Sequence, residues 1–213
     1  MNFLKKTILI SILALATNAA TAQLSVGASF SYLNFLGDYS ELSTPGLSLR
    51  GDYAQDDRLV FTGGFGYYFG NTDETEYTLS PLSSTNNPIT VEGENSYSFI
   101  NVYVGAKRYF VGDYEGDFNI YGELDLGLLL SPYKSEITES YNESNYQTPE
   151  LTDETFSNFI IGAGVGMEAN LGFGYGFAEA KLNIPANQEN GETVEVEIPG
   201  QIALNLGVRI PFE

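Results

Sequence analysis

The segment from Phe118 to Leu130 reads FNIYGELDLGLLL, and its side chains alternate between apolar and polar for most of its length. The even-numbered positions are mainly Phe, Ile and Leu, whereas the odd-numbered positions include Asn119, Tyr121, Glu123, Asp125 and Gly127. A β-strand points successive side chains to opposite faces, so this pattern predicts a strand with one apolar face. A tilted strand of roughly ten residues crosses a hydrocarbon layer, and most strands of soluble proteins are about half that length. The segment therefore predicts a strand that crosses a membrane.

Seven further segments show the same alternation. Their ranges are 24–32, 47–53, 61–69, 100–107, 159–168, 178–184 and 202–212. The connections alternate in length, with long ones at 34–45, 70–96, 132–155 and 185–200 and short ones at 54–58, 111–117 and 170–174. A barrel threaded from the periplasm has this rhythm, whereas a Greek-key sandwich gives no reason for it. We therefore predict an all-β fold, an eight-stranded antiparallel up-and-down transmembrane β-barrel with short periplasmic turns and long acidic extracellular loops.

The polar faces of the predicted strands indicate which side meets lipid. They hold mainly Gly, Ser and Asn, small enough for the narrow interior of an eight-stranded barrel. The same faces carry nine charges of both signs, which need partners because an unpaired buried ion is costly. We predict that these charges form a network in the lumen of the barrel: Arg50, Asp52, Lys107, Glu123, Asp125, Glu168, Glu179, Lys181 and Arg209.

Residues 1–22 have the features of a cleaved secretory signal peptide. Lys5 and Lys6 form a charged head, residues 7–16 are an apolar stretch too short to cross a bilayer as a helix, and residues 20–22 form a small-residue cleavage site. We expect residues 23–213 to form a single outer-membrane β-barrel domain. The sequence contains no Cys, which excludes disulfides.

The composition argues against several classes of function. A formal net charge of −19 disfavours nucleic acid as a partner, because phosphate binding needs clustered Lys and Arg. Without His or Cys the chain lacks the catalytic triads and dyads of known barrel enzymes. We predict that the protein is not an enzyme, and we assign no catalytic, cofactor-binding or metal-binding residue and no cofactor. Glu123 and Asp125 could in principle act as acid and base, but four bases share their compartment, which favours a place in the charge network.

Two short motifs have only a superficial likeness to ligand sites. The segment Gly162 to Gly166 lacks the G-x-G-x-x-G spacing and the following helix of a phosphate loop, so we interpret its glycines as strand positions that leave space in the lumen. The segment Asp73 to Glu76 lacks the residue order of a calcium loop, and we interpret the acidic residues there as solvated.

Most of the acidic residues fall in the predicted long loops, and so on one side of the barrel. They are Asp73, Glu74, Glu76, Glu92, Glu94, Glu136, Glu139, Glu143, Glu150, Asp153, Glu154, Glu189, Glu192, Glu195 and Glu197. Within the last loop, Val194, Val196 and Ile198 alternate with glutamates. This alternation predicts that the seventh and eighth strands extend beyond the membrane as a hairpin.

The chain resembles the small outer-membrane barrel families that include the OmpA-type and OmpX-type barrels. Its last strand ends on an aromatic residue, and INVYVGAKRYF at residues 100–110 is similar to porin-family and outer-membrane-barrel domains common in Bacteroidota. Aromatic residues near strand ends fit the two interfacial girdles of such barrels: Tyr32, Tyr53, Tyr67, Phe69, Phe110, Phe118, Phe159 and Phe212. The resemblance implies a monomer in the lipid of the bacterial outer membrane, inserted by the barrel-assembly machinery.

The sequence leaves three functions open. We expect a structural or surface component with a side-chain-filled lumen, whose acidic loops meet external partners. A narrow porin-like channel for ions or small solutes is the first alternative. A soluble periplasmic β-barrel that binds an apolar ligand is the second, and it requires the rows of Leu and Phe to lie inside.

Overall fold

The computed structural model describes residues 23–83, 87–186 and 200–212. Eight strands form a closed barrel in chain order: β1 Gln23–Phe35, β2 Thr44–Ala54, β3 Leu59–Leu79, β4 Ile89–Val111, β5 Phe118–Ile137, β6 Asp153–Asn170, β7 Tyr175–Ala186 and β8 Gln201–Phe212. Every pair of neighbours is antiparallel, and β1 pairs with β8 to close the barrel. The predicted fold class is confirmed.

The alternation of side chains decides which residues face inwards. On β5, Leu124 and Leu126 are 67% and 62% exposed, whereas Glu123 and Asp125 are buried. On β8, Leu206 is 68% exposed and Arg209 is fully buried. The barrel therefore has an apolar outer wall and a charged interior, as the pattern of the sequence predicts.

The two ends of the barrel differ. At one end, here called the turn end, residues 55–58, 112–117 and 171–174 join neighbouring strands closely. The backbone N–H groups of Arg58 and Leu59 donate to Asp56 Oδ1 at 2.8 Å. These hydrogen bonds lower the pKa of the Asp56 carboxyl. The opposite end, the loop end, carries the longer connections, including a short 3₁₀ helix at Gly37–Leu42.

Two predicted loops are wrong in extent, because β3, β4, β5 and β6 continue past the rim of the barrel at the loop end. Most of 70–96 and part of 132–155 belong to these strands. The β3–β4 ladder shifts register between Tyr68 and Asn71 and then pairs without interruption to Leu79 and Ile89. The residues of this extension are mainly polar, so apolar alternation does not mark its paired strands in the sequence.

The connection between β5 and β6 folds back onto this extension. Pro81 forms an isolated bridge with Tyr146, and the backbone N–H of Gln147 donates to the carbonyl of Ser80. Within the extension, Leu79 and Val91 are buried. The connection is therefore part of the folded surface at the loop end.

Two predictions lie outside the described residues. These are the signal peptide at 1–22 and the hairpin extension that includes 194–198.

No helix in the described part of the chain is long and apolar enough to cross a membrane.

Candidate functional site in the barrel lumen

The lumen at the loop end is filled by apolar side chains from six strands. This apolar layer consists of Leu33, Phe35, Tyr68, Phe99, Leu129, Ile160 and Ala203. The rings of Phe35 and Phe99 lie 4.8 Å apart between centroids. Leu42 of the 3₁₀ helix and Tyr97 pack against the layer from the loop end. Buried polar side chains, including Asn183 and Gln201, lie at the same level as this layer.

A network of ion pairs fills the middle of the barrel, with Glu168 at its centre. Its oxygens lie 3.0 Å from Arg50 Nη2, 3.0 Å from Lys107 Nζ and 2.9 Å from Arg209 Nη2. The Tyr109 hydroxyl also donates to Glu168 Oε2. Lys107 contacts Asp52 at 3.0 Å. Three bases thus converge on a single buried carboxylate.

The rest of the network is organised by Lys181. Its ammonium lies 2.8 Å from Glu123 Oε1, 2.8 Å from Asp125 Oδ2 and 3.8 Å from Glu179 Oε1. Glu179 also binds Arg50 Nη1 at 3.2 Å, which links this group to the one around Glu168. All nine charged residues named from the sequence lie inside the barrel, and each takes part in at least one ion pair.

Aromatic rings line the network and contact its cations. The Arg50 guanidinium lies 3.9 Å from the ring centroid of Phe177, and Lys181 Nζ lies 4.2 Å from that of Tyr103. Cation–π contacts strengthen in desolvated surroundings. They supplement the carboxylates in stabilising the buried bases.

Tyr114 closes the turn end of the lumen. It belongs to the β4–β5 turn and is 2% exposed, and its ring packs with Ala54, Val60, Tyr109 and Tyr121. Its carbonyl accepts a hydrogen bond from Arg209 Nη2 at 2.9 Å. Burial raises the pKa of the Tyr114 hydroxyl, which keeps it neutral.

One cavity inside the lumen is small. A cavity of about 20 Å³ lies beside Arg50, Glu179, Lys181, Asn101 and Asn183. A water molecule needs roughly 10–15 Å³ measured in this way. The cavity therefore accommodates a single water, not a chain of waters. Among the described residues, no three Asp or Glu side chains are placed to hold a metal ion.

The sequence pattern predicts that the charges lie in the lumen, but the layers that close its ends were not predicted. The alternation does contain a signal for the apolar layer, because Phe99, Leu129 and Ile160 occupy inward positions in line with the polar residues of their strands. Tyr103 and Tyr121 lie on faces already identified as polar. What the pattern could not show was how these rings would fit into a narrow interior.

Glycines on the polar faces provide the space for these rings. A Cβ at Gly166 would overlap the ring of Tyr121, whose hydroxyl donates to Glu179 Oε2 at 3.0 Å. We expect Gly166→Ala to destabilise the barrel by about 1–3 kcal/mol through overpacking. Gly51→Ala is the matched control, because a Cβ there meets nothing within 4 Å. Urea unfolding of both variants measures the difference, and equal midpoints would show that the lumen is not tightly packed at Gly166.

The outer wall is a continuous apolar band. Its exposed side chains include Val26, Leu49, Phe65, Val104, Leu124, Ile161, Val165, Ile184, Leu204 and Leu206. Single exposed apolar residues are normal on soluble proteins, but contiguous apolar patches are rarely larger than a few hundred Å². Because the barrel is closed, the backbone N–H and C=O groups of every strand can pair with neighbouring strands and need no water. The interior of a bilayer requires such pairing. The fold and the filled lumen define a small transmembrane β-barrel, and they exclude the soluble alternative, whose Leu and Phe rows would have to lie inside.

Comparison with known sequences identifies the family. Residues 7–209 match the model of the family described as the outer membrane protein beta-barrel domain, and the chain belongs to that family. No curated protein matches the chain. The protein is located in the bacterial outer membrane, with its outer wall in contact with lipid.

Solved structures of outer-membrane proteins are similar to the chain at low sequence identity. A major outer membrane protein from Thermus thermophilus is 11% identical, with a TM-score of 0.62 and coverage of 90% of this chain and 100% of that one. Neisserial surface protein A is 15% identical, with a TM-score of 0.48 and coverage of 90% and 97%. The attachment invasion locus protein Ail of Yersinia pestis is 14% identical, with a TM-score of 0.46 and coverage of 90% and 97%.

Proposed function

We propose that this protein is a non-conducting surface component of the outer membrane. The filled lumen is the observation that carries the proposal. An apolar layer at the loop end, the ion-pair network in the middle and the ring of Tyr114 at the turn end follow one another along the axis. An ion would have to displace all three, and breaking buried ion pairs by removing a partner is strongly unfavourable.

The extension of β3, β4 and β5 supports a role at the cell surface. Directly opposed residues lie on the same face of a sheet, and Glu74 opposes Glu94, Glu76 opposes Glu92, and Glu94 opposes Glu136. Like charges opposite one another destabilise a sheet. The arrangement therefore contributes little to the stability of the fold, which supports a role in contacts with external partners.

A planar-bilayer conductance measurement tests the proposal. We expect the purified, folded protein to produce no large, stable current steps, because the apolar layer at Leu129 and Ile160 blocks the path along the axis. We expect the variant with both residues truncated to Ala to remain closed as well, because the ion-pair network and Tyr114 still fill the rest of the lumen. Large, stable currents from the wild-type protein would contradict a sealed lumen and support the narrow channel instead.

The remaining parts of the proposal concern partners and activity. We propose that the protein is a monomer, that the barrel-assembly machinery inserts it, and that it binds no nucleic acid and no cofactor. The families it resembles consist of outer-membrane barrel proteins and not of enzymes. We extend this to the present chain, whose sequence contains neither His nor Cys.

A further inference from the structure

The charges inside the barrel do not balance. Among the described residues the buried ionisable acids are Asp52, Glu123, Asp125, Glu168 and Glu179, and the buried bases are Arg50, Lys107, Lys181 and Arg209. Five carboxylates thus face four cations in a compartment closed at both ends. An uncompensated charge in such surroundings is costly, and a buried group tends to neutralise instead.

The excess acid can be located from the contacts. Three of the bases form ion pairs with Asp52, Glu168 and Glu179. These bases are Arg50, Lys107 and Arg209. Among the bases that the structure describes, Lys181 alone contacts Glu123 and Asp125, both at 2.8 Å. The surplus carboxylate therefore belongs to the group around Lys181.

Within that group, the carboxyl groups of Glu123 and Glu179 both approach one ammonium, because Lys181 Nζ lies 2.8 Å from Glu123 Oε1 and 3.8 Å from Glu179 Oε1. Two neighbouring carboxylates that are both ionised cannot hydrogen-bond to each other, because neither has a donor. Glu179 is supplied with donors by Arg50, Tyr121 and Asn205. Glu123 Oε2 is buried and has no hydrogen-bond partner in the described structure. The missing hydrogen therefore belongs on Glu123.

We propose that the lumen holds one bound proton, carried on Glu123 Oε2 and donated to the carboxylate of Glu179. With this proton the nine residues of the network are electrically neutral. Lys181 then pairs with Asp125 as its ionised partner and donates to the carbonyl oxygen of Glu123.

The groups that face Glu123 come from several strands. Lys107 opposes it on β4, Gly164 opposes it on β6 without a charge, and Asp125 lies next along its own face. Other charged or titratable neighbours include Arg50 on β2, Tyr103 on β4, Tyr121 on its own strand, and Glu179 and Lys181 on β7. The cations in this set already have ionised partners, so none of these cations is free to compensate a second negative charge at Glu123.

The bound proton links the stability of the barrel to pH. An unfolded glutamate releases its proton above about pH 4.3, whereas the folded barrel retains it at neutral pH. The folded state then binds more protons than the unfolded state, so the stability falls as the pH rises. The unfolding equilibrium constant increases by up to about tenfold per pH unit over that range.

Infrared spectroscopy of the folded protein in detergent micelles tests the proposal. We expect a carbonyl band from a protonated carboxylic acid at neutral pH, where every solvated carboxylate is ionised. The band should be absent from Glu123→Gln and present in Glu136→Gln, a matched control at an exposed position. No such band in the wild-type protein, or a band that survives in Glu123→Gln, would overturn the assignment.

The pH dependence of urea unfolding gives a second, independent readout. The side-chain amide that Glu123→Gln introduces can donate to Glu179 as the protonated acid does. We therefore expect this variant to lose less stability than the wild-type protein between mildly acidic and alkaline pH. Parallel curves for the two proteins would contradict the proposal. Should the variant fail to fold, the presence or absence of the wild-type infrared band still decides the question.

Discussion

Glu168→Gln should lower the free energy of unfolding of the barrel by about 3–5 kcal/mol, the usual cost of removing one partner from a buried ion pair. Glu168 Oε1 accepts from Arg50 and Lys107, and Oε2 accepts from Arg209 and Tyr109. The side-chain amide of glutamine has only one oxygen. In either orientation, its NH₂ group would therefore face two of the hydrogen-bond donors that a carboxylate oxygen accepts from in the wild-type protein. The substitution also leaves three bases around a neutral side chain.

Denaturant unfolding followed by circular dichroism measures this effect, since the sequence contains no Trp to report by fluorescence. Glu136→Gln is the matched control, because Glu136 pairs with Lys134 in an exposed position on the extension. We expect no measurable change from the control, as is usual for exposed ion pairs. If Glu168→Gln unfolded at the wild-type denaturant concentration, the network would not be a source of stability.

Leu124→Arg should have the second-largest effect, a loss of about 2–4 kcal/mol for a basic residue near the midplane of the bilayer. Leu124 lies in the middle of the apolar stretch of β5 and is 67% exposed on the outer wall. An arginine there would place its guanidinium in hydrocarbon without a partner. The lumen would not be altered, because the side chain points away from it.

Refolding into lipid vesicles tests this prediction, with heat-dependent mobility on a denaturing gel reporting the folded fraction. Glu136→Arg is a suitable control, since it introduces the same side chain on the same outward row of β5 but beyond the apolar band. We expect the control to fold as the wild-type protein does. Equal folded fractions for Leu124→Arg and the wild-type protein would mean that Leu124 does not contact lipid.

The strands and the location of the charges could be predicted because both depend on local alternation. In β5 and β8 the contrast between Leu and polar residues assigns each side chain to a face without knowledge of the neighbouring strands. The pairing of charges could not be predicted, because it depends on the stagger of the strands around the barrel. Lys181 and Glu123 lie on strands that are not adjacent, and only the closed structure brings them together.

The extension of β3 and β4 could not be predicted for a different reason. Most of its residues are polar on both faces, so alternation carries little contrast there. The register shift between Tyr68 and Asn71 also changes which positions share a face. A one-residue shift moves every later side chain to the opposite side of a strand.

The strands of the barrel have very unequal lengths. β4 has 23 residues, whereas β7 has 12. Beyond the register shift, β3 continues from Asn71 to Leu79, which corresponds to about 30 Å of extended chain. Within the described residues, the barrel is therefore much taller at β3 and β4 than at β1 and β2. A molecule that approaches the loop end would meet β3 and β4 before it met β1 and β2.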